Sequence, residues 1–242
     1  MLAESAHTID ERSSYKATVT VGDLENSTRW DLEFDGGSQR VRYFPYAEAS
    51  STECLGFSPT EGSPPPECRS SPGFNPNRFL DGVRTESTVF LRECISVTDC
   101  GVWEQTPAGP MSGPVVGPHP AYLAGFWPVA LGMAYDVEIL GPEELDGTPT
   151  THFKANLNPI DARLESEKLA YGVVPAEIVE GLAEQQRDYD DHPAELEVWI
   201  TESDKEVRQA VLHAKDLTGS PIEIRILYSQ WGDVNVEPPV MP

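Results

Sequence analysis

The chain has 242 residues and sets 17 Lys and Arg against 40 Asp and Glu, for a net charge of −23. Such a surface repels phosphates, which excludes a nucleic-acid partner, and the even spread of the acids reads as solubility, as in a saline habitat. Gly (19) and Pro (22) are plentiful, which points to many turns and short strands in one large all-β or α+β domain.

At the start, Leu2, Ala3, Ala6 and Ile9 have the spacing of the end of a helix. Tyr15 to Leu24 then alternates, with Tyr15, Ala17, Val19 and Val21 on one side, and predicts a strand. Trp30, Leu32 and Phe34 alternate again, Asp35-Gly36-Gly37 makes a turn, and Val41, Tyr43 and Tyr46 return, which predicts a β-hairpin. Six prolines from Pro59 to Pro76 predict a loop over 58–77 without regular pairing. Thr88 to Cys94 and Gly101 to Thr106 predict a second hairpin, and 107–118 a Pro/Gly-rich connector.

The most apolar stretch runs from Pro120 to Met133. Tyr122, Phe126 and Val129 recur at helical spacing, which predicts a short helix interrupted near Pro128. Tyr135 to Leu140 and Thr150 to Leu157 read as strands around Leu145-Asp146-Gly147. A helix follows from Pro175 to Tyr189, with Glu177 and Glu180 in its first turns. The acids of Asp188-Tyr189-Asp190-Asp191-His192 oppose a helix dipole, so the helix is expected to end before Asp190 and the cluster to be a solvated end rather than a cation site. Leu196 to Ile200, Val207 to Ala214 and Ile222 to Tyr228 alternate as a β-meander, with a last short strand at Val234 to Val236. No internal repeat divides the chain, so 1–242 is read as a single domain.

Four cysteines remain: Cys54, Cys68, Cys94 and Cys100. They allow three connectivities. Each sequential pair closes a short loop, so 54–68 with 94–100 is the expected pairing and an oxidising compartment follows. No stretch has the roughly 18 apolar residues of a spanning helix. The disulfide reading makes export the expectation, with a signal removed upstream of residue 1. The five histidines (His7, His119, His152, His192 and His213) fit no known metal spacing. No Gly-x-Ser-x-Gly or phosphate loop occurs. No enzyme, metal or cofactor is expected.

Four features occur in order in the C-terminal half: the hairpin Glu144-Leu145-Asp146-Gly147-Thr148 to Phe153, an acidic helix, Glu197-Val198-Trp199-Ile200-Thr201 with Val207-Arg208-Gln209-Ala210, and the ending Ile226-Leu227-Tyr228-Ser229-Gln230-Trp231-Gly232 to Pro239. Together with Ser14-Tyr15-Lys16-Ala17-Thr18-Val19, this resembles the LolA/LppX-like lipoprotein superfamily of bacterial envelopes. The resemblance covers about residues 1–48 and 134–239; the loops 58–77 and 107–118 and the cysteines depart from it as insertions.

The resemblance implies an α+β fold, a large curved antiparallel half-barrel with two to three helices over its concave face. It implies a non-enzymatic extracytoplasmic protein that holds or carries a lipid, acyl chain or lipoprotein; an envelope sensor or protein-interaction module with a self-filled cavity is the alternative. The native protein would be a monomer tethered by a removed N-terminal lipid anchor, with an envelope protein as a possible partner. Trp103, Tyr122, Phe126, Trp127, Leu131 and Met133 are the candidate cavity and lid residues. Tyr122 to Met133 is the expected lid, because it lies between Pro-rich connectors. Trp199 and Trp231 are the other large aromatics of interest.

Overall fold

A computed structural model describes residues 2–11, 14–22, 27–35, 38–44, 52–53, 69–70, 78–85, 88–107, 120–171, 174, 176–215 and 220–240. The N-terminal half contains α1 (Leu2–Glu11), β1 (Ser14–Gly22), β2 (Ser27–Asp35), β3 (Ser38–Phe44), β4 (Thr52–Glu53), β5 (Arg69–Ser70), β6 (Phe79–Arg84), β7 (Thr88–Ser96), β8 (Asp99–Cys100) and β9 (Glu104–Pro107). After α2 (Pro120–Met133) come β10 (Tyr135–Leu145), β11 (Thr148–Leu157), α3 (Pro159–Tyr171), α4 (Ala176–Asp191), β12 (Ala194–Thr201), β13 (Val207–Lys215) and β14 (Pro221–Trp231).

Among the described residues, twelve strands form one antiparallel sheet in the order β10-β11-β12-β13-β14-β1-β2-β3-β6-β7-β8, with β9 also on β7. The first and last strands of the chain meet in the middle, and the sheet does not close on itself. The fold is therefore α+β, a curved open half-barrel. Its topology explains α2: the chain must travel from β9 at one edge to β10 at the other, and α2 makes that crossing against α1, α3 and β2.

Period-two side-chain direction separates the two faces. One cross-strand row reads Leu80, Tyr43, Trp30, Val19, Ile226, Ala210, Val198, Phe153 and Ile139, from β6 to β10. Every member is apolar or aromatic. The neighbouring row on the other face reads Arg92, Asp81, Arg42, Asp31, Thr18, Leu227, Gln209, Trp199 and His152. The first face packs under the helices; the second carries ion pairs.

Turn chemistry fixes the register at β10–β11. Asp146 (φ 51°) and Gly147 (φ 77°) both adopt positive φ, as a two-residue type I′ hairpin requires. At the opposite edge, Cys94 and Cys100 stand opposite each other and are joined by a disulfide. Closing so short a loop stabilises by about 2 kcal/mol on loop-entropy grounds. The pair Cys94→Ser/Cys100→Ser is expected to lose about that much in a urea melt, and an unchanged midpoint would contradict it. Cys54 and Cys68 lie outside the described residues.

Five sequence expectations need correction. Arg69–Ser70 pairs with Thr52–Glu53 inside the stretch read as unpaired loop; neither segment contains proline. Pro128 does not interrupt α2, because burial of the residues around it holds the helix through the missing N–H. Helix α4 continues to Asp191: Asn158 donates to Asp190 Oδ1 (2.8 Å) and Lys215 pairs with Asp188 (3.1 Å), which offsets the adverse dipole. Val234 to Val236 forms no strand, since β1 is already paired on both sides by β14 and β2. The segment instead packs Val234 and Val236 on Val83 and Phe90. Finally, four helices stand among the described residues where two to three over the concave face were expected; α3 is capped by Asn158, whose Oδ1 accepts from the N–H groups of Ile160 (3.1 Å) and Asp161 (3.3 Å).

Candidate functional site: the apolar inner face and its helix

Alternation alone turns the inner side chains of seven consecutive strands, β11 to β14 and β1 to β3, toward one buried cluster. Aromatic contacts stiffen its middle. Tyr15 stacks on Phe34 with centroids 5.2 Å apart, meets Tyr228 edge-on at 5.4 Å, and Tyr228 stacks on Trp231 at 4.6 Å. Trp30 lies 5.4 Å from Tyr43.

Helix α2 presses Phe126, Trp127, Ala130 and Leu131 into this wall. These four positions repeat at i, i+1, i+4 and i+5, a single helical face. Trp127 has 0% exposure, and Phe126 meets it edge to face at 5.4 Å. Two polar atoms are sealed in the same cluster without a hydrogen-bond partner among the described residues, Trp127 Nε1 and Tyr228 Oη. Each such atom costs about 1–3 kcal/mol relative to a satisfied one. The seated helix is thus tightly packed, with an indole N–H that has no partner among the described residues.

Of the six candidate residues, Phe126, Trp127 and Leu131 are brought together in this cluster. Met133, at the end of α2, is 40% exposed. Trp103 lies elsewhere, packed on Val83, Phe90, Val234 and Val236, with the Arg92 guanidinium 4.2 Å above its ring. Tyr122 falls in α2, and its side chain lies outside the described residues. Trp199 sits on the outer face, stacked on His152 at 4.1 Å. The wall aromatics Tyr15, Trp30 and Tyr228 were legible only as strand residues; nothing in their spacing says that they face one another across β14, β1 and β2.

Beyond the wall, the β10 edge of the sheet exposes apolar side chains among its acids. On β10, Tyr135, Val137, Ile139 and Leu140 are all exposed, Ile139 to 66%. Ile139 is the last member of the inner apolar row. The greasy face therefore reaches solvent at that edge.

Burial raises the pKa of both Tyr15 and Tyr228, the latter further through the neighbouring Tyr15. A phenol with a raised folded pKa contributes stability that is intact below about pH 10 and is lost above it, because only the unfolded state can then ionise. Absorbance titration at 295 nm is expected to show these two phenols ionising only as the protein unfolds in alkali. Reversible titration of all eight tyrosines in the folded protein would overturn this.

No protein-family model matches the sequence, and no curated protein matches it. Solved structures do match. LprF from Mycobacterium bovis aligns with 100% of this chain and 93% of its own, at 13% identity and a TM-score of 0.50. The lipoprotein LppX from Mycobacterium tuberculosis aligns with 98% of this chain and 97% of its own, at 13% identity and a TM-score of 0.46. At such identities the likeness is one of fold: the chain shares the open half-barrel of LprF. Among the described residues, no helix is long and apolar enough to cross a membrane.

Proposed function

We propose that this protein is a non-enzymatic extracytoplasmic binding protein that holds an acyl chain or lipid against the inner face of its sheet, with α2 as the lid that yields. The observation that carries the reading is the apolar row that crosses nine strands and ends at an exposed edge. Trp127 Nε1, which has no hydrogen-bond partner among the described residues, supports it, since a lid that seats with a buried polar orphan is easier to lift. The native protein is tethered at the envelope by a lipid anchor.

Magnitudes select the ligand. Lifting Phe126, Trp127 and Leu131 out of the wall costs about 6–9 kcal/mol, at about 2–3 kcal/mol each. A methylene returns about 0.8 kcal/mol. An occupant therefore needs about eight to eleven methylenes before it can displace α2. Native mass spectrometry of protein purified from its own host is expected to show a bound lipid. Displacement of a fluorescent fatty-acid analogue is expected to set in only for acyl chains of about that length. Absence of both an adduct and fatty-acid binding would reject the carrier reading.

The full burial of Trp127 and Leu131 favours a second reading, in which α2 fills the trough permanently and the fold serves as an envelope sensor that contacts a protein partner. In that case no acyl chain of any length quenches the Trp127 emission.

A further inference from the structure

Glu195 and Glu197 are two residues apart on β12, so both side chains leave the outer side of the sheet. His213 on β13 stands directly opposite Glu195. The ligand atoms of these three residues lie within 4.8 Å of one another. An i, i+2 pair with its cross-strand partner is a compact three-donor set, because directly opposed residues have Cβ atoms only about 5 Å apart.

The residues around them already hold Glu197 and place a carboxylate beside His213. His213 Nε2 faces Glu197 Oε1 at 3.2 Å. The other oxygen of Glu197 is held by His152 Nε2 at 2.7 Å, and His152 Nδ1 lies 3.2 Å from Glu143. The His152 ring is clamped on Trp199, whose Nε1 donates to the same Glu143 (2.9 Å). On the far side, His213 Nδ1 lies 4.0 Å from Glu223, which Arg225 holds at 2.9 Å. That gap must close by about 1 Å for Nδ1–H to donate to Glu223, the hydrogen bond that orients metal-bound histidines. Lys154 is the competing cation, 2.5 Å from Glu195.

The geometry points to a divalent transition-metal site formed by Glu195, Glu197 and His213, with His152 positioning Glu197. One imidazole and two carboxylates suit Zn²⁺; Ca²⁺ and Mg²⁺ take oxygen ligands and gain nothing from the histidine. Ligands around a tetrahedral Zn²⁺ stand about 3.4 Å apart, so the three side chains must close in by rotation, and Lys154 must release Glu195. The site lies on the opposite face of the sheet from the apolar wall.

Titration calorimetry of the full chain with zinc chloride, in a buffer that does not chelate, tests this. One saturable ion per chain is expected, with Co²⁺ giving visible absorption in the same stoichiometry. His213→Ala and Glu197→Gln are expected to weaken binding by at least about ten-fold, the scale seen even for outer-shell partners. Lys154→Met is expected to tighten it several-fold by freeing Glu195. His213 is 42% exposed, so its alanine variant keeps the test open should Glu197→Gln fail to fold. His213→Ala removes no negative charge. Equal binding by wild type and His213→Ala, or no saturable uptake, would mean diffuse attraction to an acidic surface and would overturn the site.

Discussion

Trp127→Ala is expected to lower the unfolding free energy by about 3–5 kcal/mol, the range for deleting a large buried aromatic side chain. Trp127 has no exposure, touches Phe126 edge-on, and sits in the cluster that joins α2 to the sheet. The loss falls toward the lower end, because the variant also removes a sealed N–H that has no partner among the described residues. Urea unfolding should show a lower midpoint at nearly constant slope. In a chain of this length the melting temperature should fall by about 2–4 °C per kcal/mol. Trp127→Phe keeps most of the packing and discards the orphan, so it should lose under about 1.5 kcal/mol. The same variant separates the two functional readings. If α2 is a lid, Trp127→Ala leaves less to displace, and long-chain fatty acids should bind more than ten-fold tighter. If α2 fills the trough permanently, stability drops and no fatty-acid binding emerges.

Asp81→Asn is expected to cost about 2–3 kcal/mol at neutral pH. The Asp81 carboxylate has 1% side-chain exposure on the outer face. Arg40 grips it with two hydrogen bonds (2.9 and 2.7 Å), and Arg92 with two more (3.1 and 2.8 Å). Breaking a buried ion pair costs about 3–5 kcal/mol. The figure here is smaller because the arginines keep about a quarter of their side-chain surface in water. Burial alone would raise the Asp81 pKa, but the hydrogen bonds and charges of Arg40 and Arg92 outweigh it and bring the pKa below the ordinary value. A carboxylate depressed in this way contributes stability that is full above its unfolded pKa of about 3.9 and is lost as pH falls through the folded value. The difference between wild type and Asp81→Asn should therefore be constant from pH 6 to 8 and shrink below about pH 4. A difference independent of pH would mean that shape, not charge, is what Asp81 supplies.

Asp81 also shows why part of the fold was hidden. Phe79-Leu80-Asp81-Gly82-Val83-Arg84 carries an acid and a glycine at its centre, which argue against a strand. It becomes β6 because Arg40 on β3 and Arg92 on β7 flank the acid, and those partners are 41 and 11 residues away. Helix α3 failed to register for a related reason. It packs against both α2 and α4, so its apolar positions do not form one stripe, although the Asn158-Pro159 cap was there to read. By contrast, the hairpins at Asp35-Gly36-Gly37 and Asp146-Gly147 and the meander from Leu196 to Tyr228 depend on neighbours in sequence, and they were legible.

Local patterning determined most of the strands and helices, the Cys94–Cys100 hairpin and the apolar character of α2, because period-two and helical spacing need only nearby residues. What the tertiary structure alone decided is which faces meet. Register places β1 between β14 and β2, and so sets Tyr15 against Tyr228. Register also assembles Glu195, Glu197 and His213 from strands that the sequence leaves as scattered acids and histidines. Pairing partners are chosen by the packing of whole sheet faces and by loop closure across the chain. For that reason the trough, its helix and the outer donor cluster exist only once all the strands are in place.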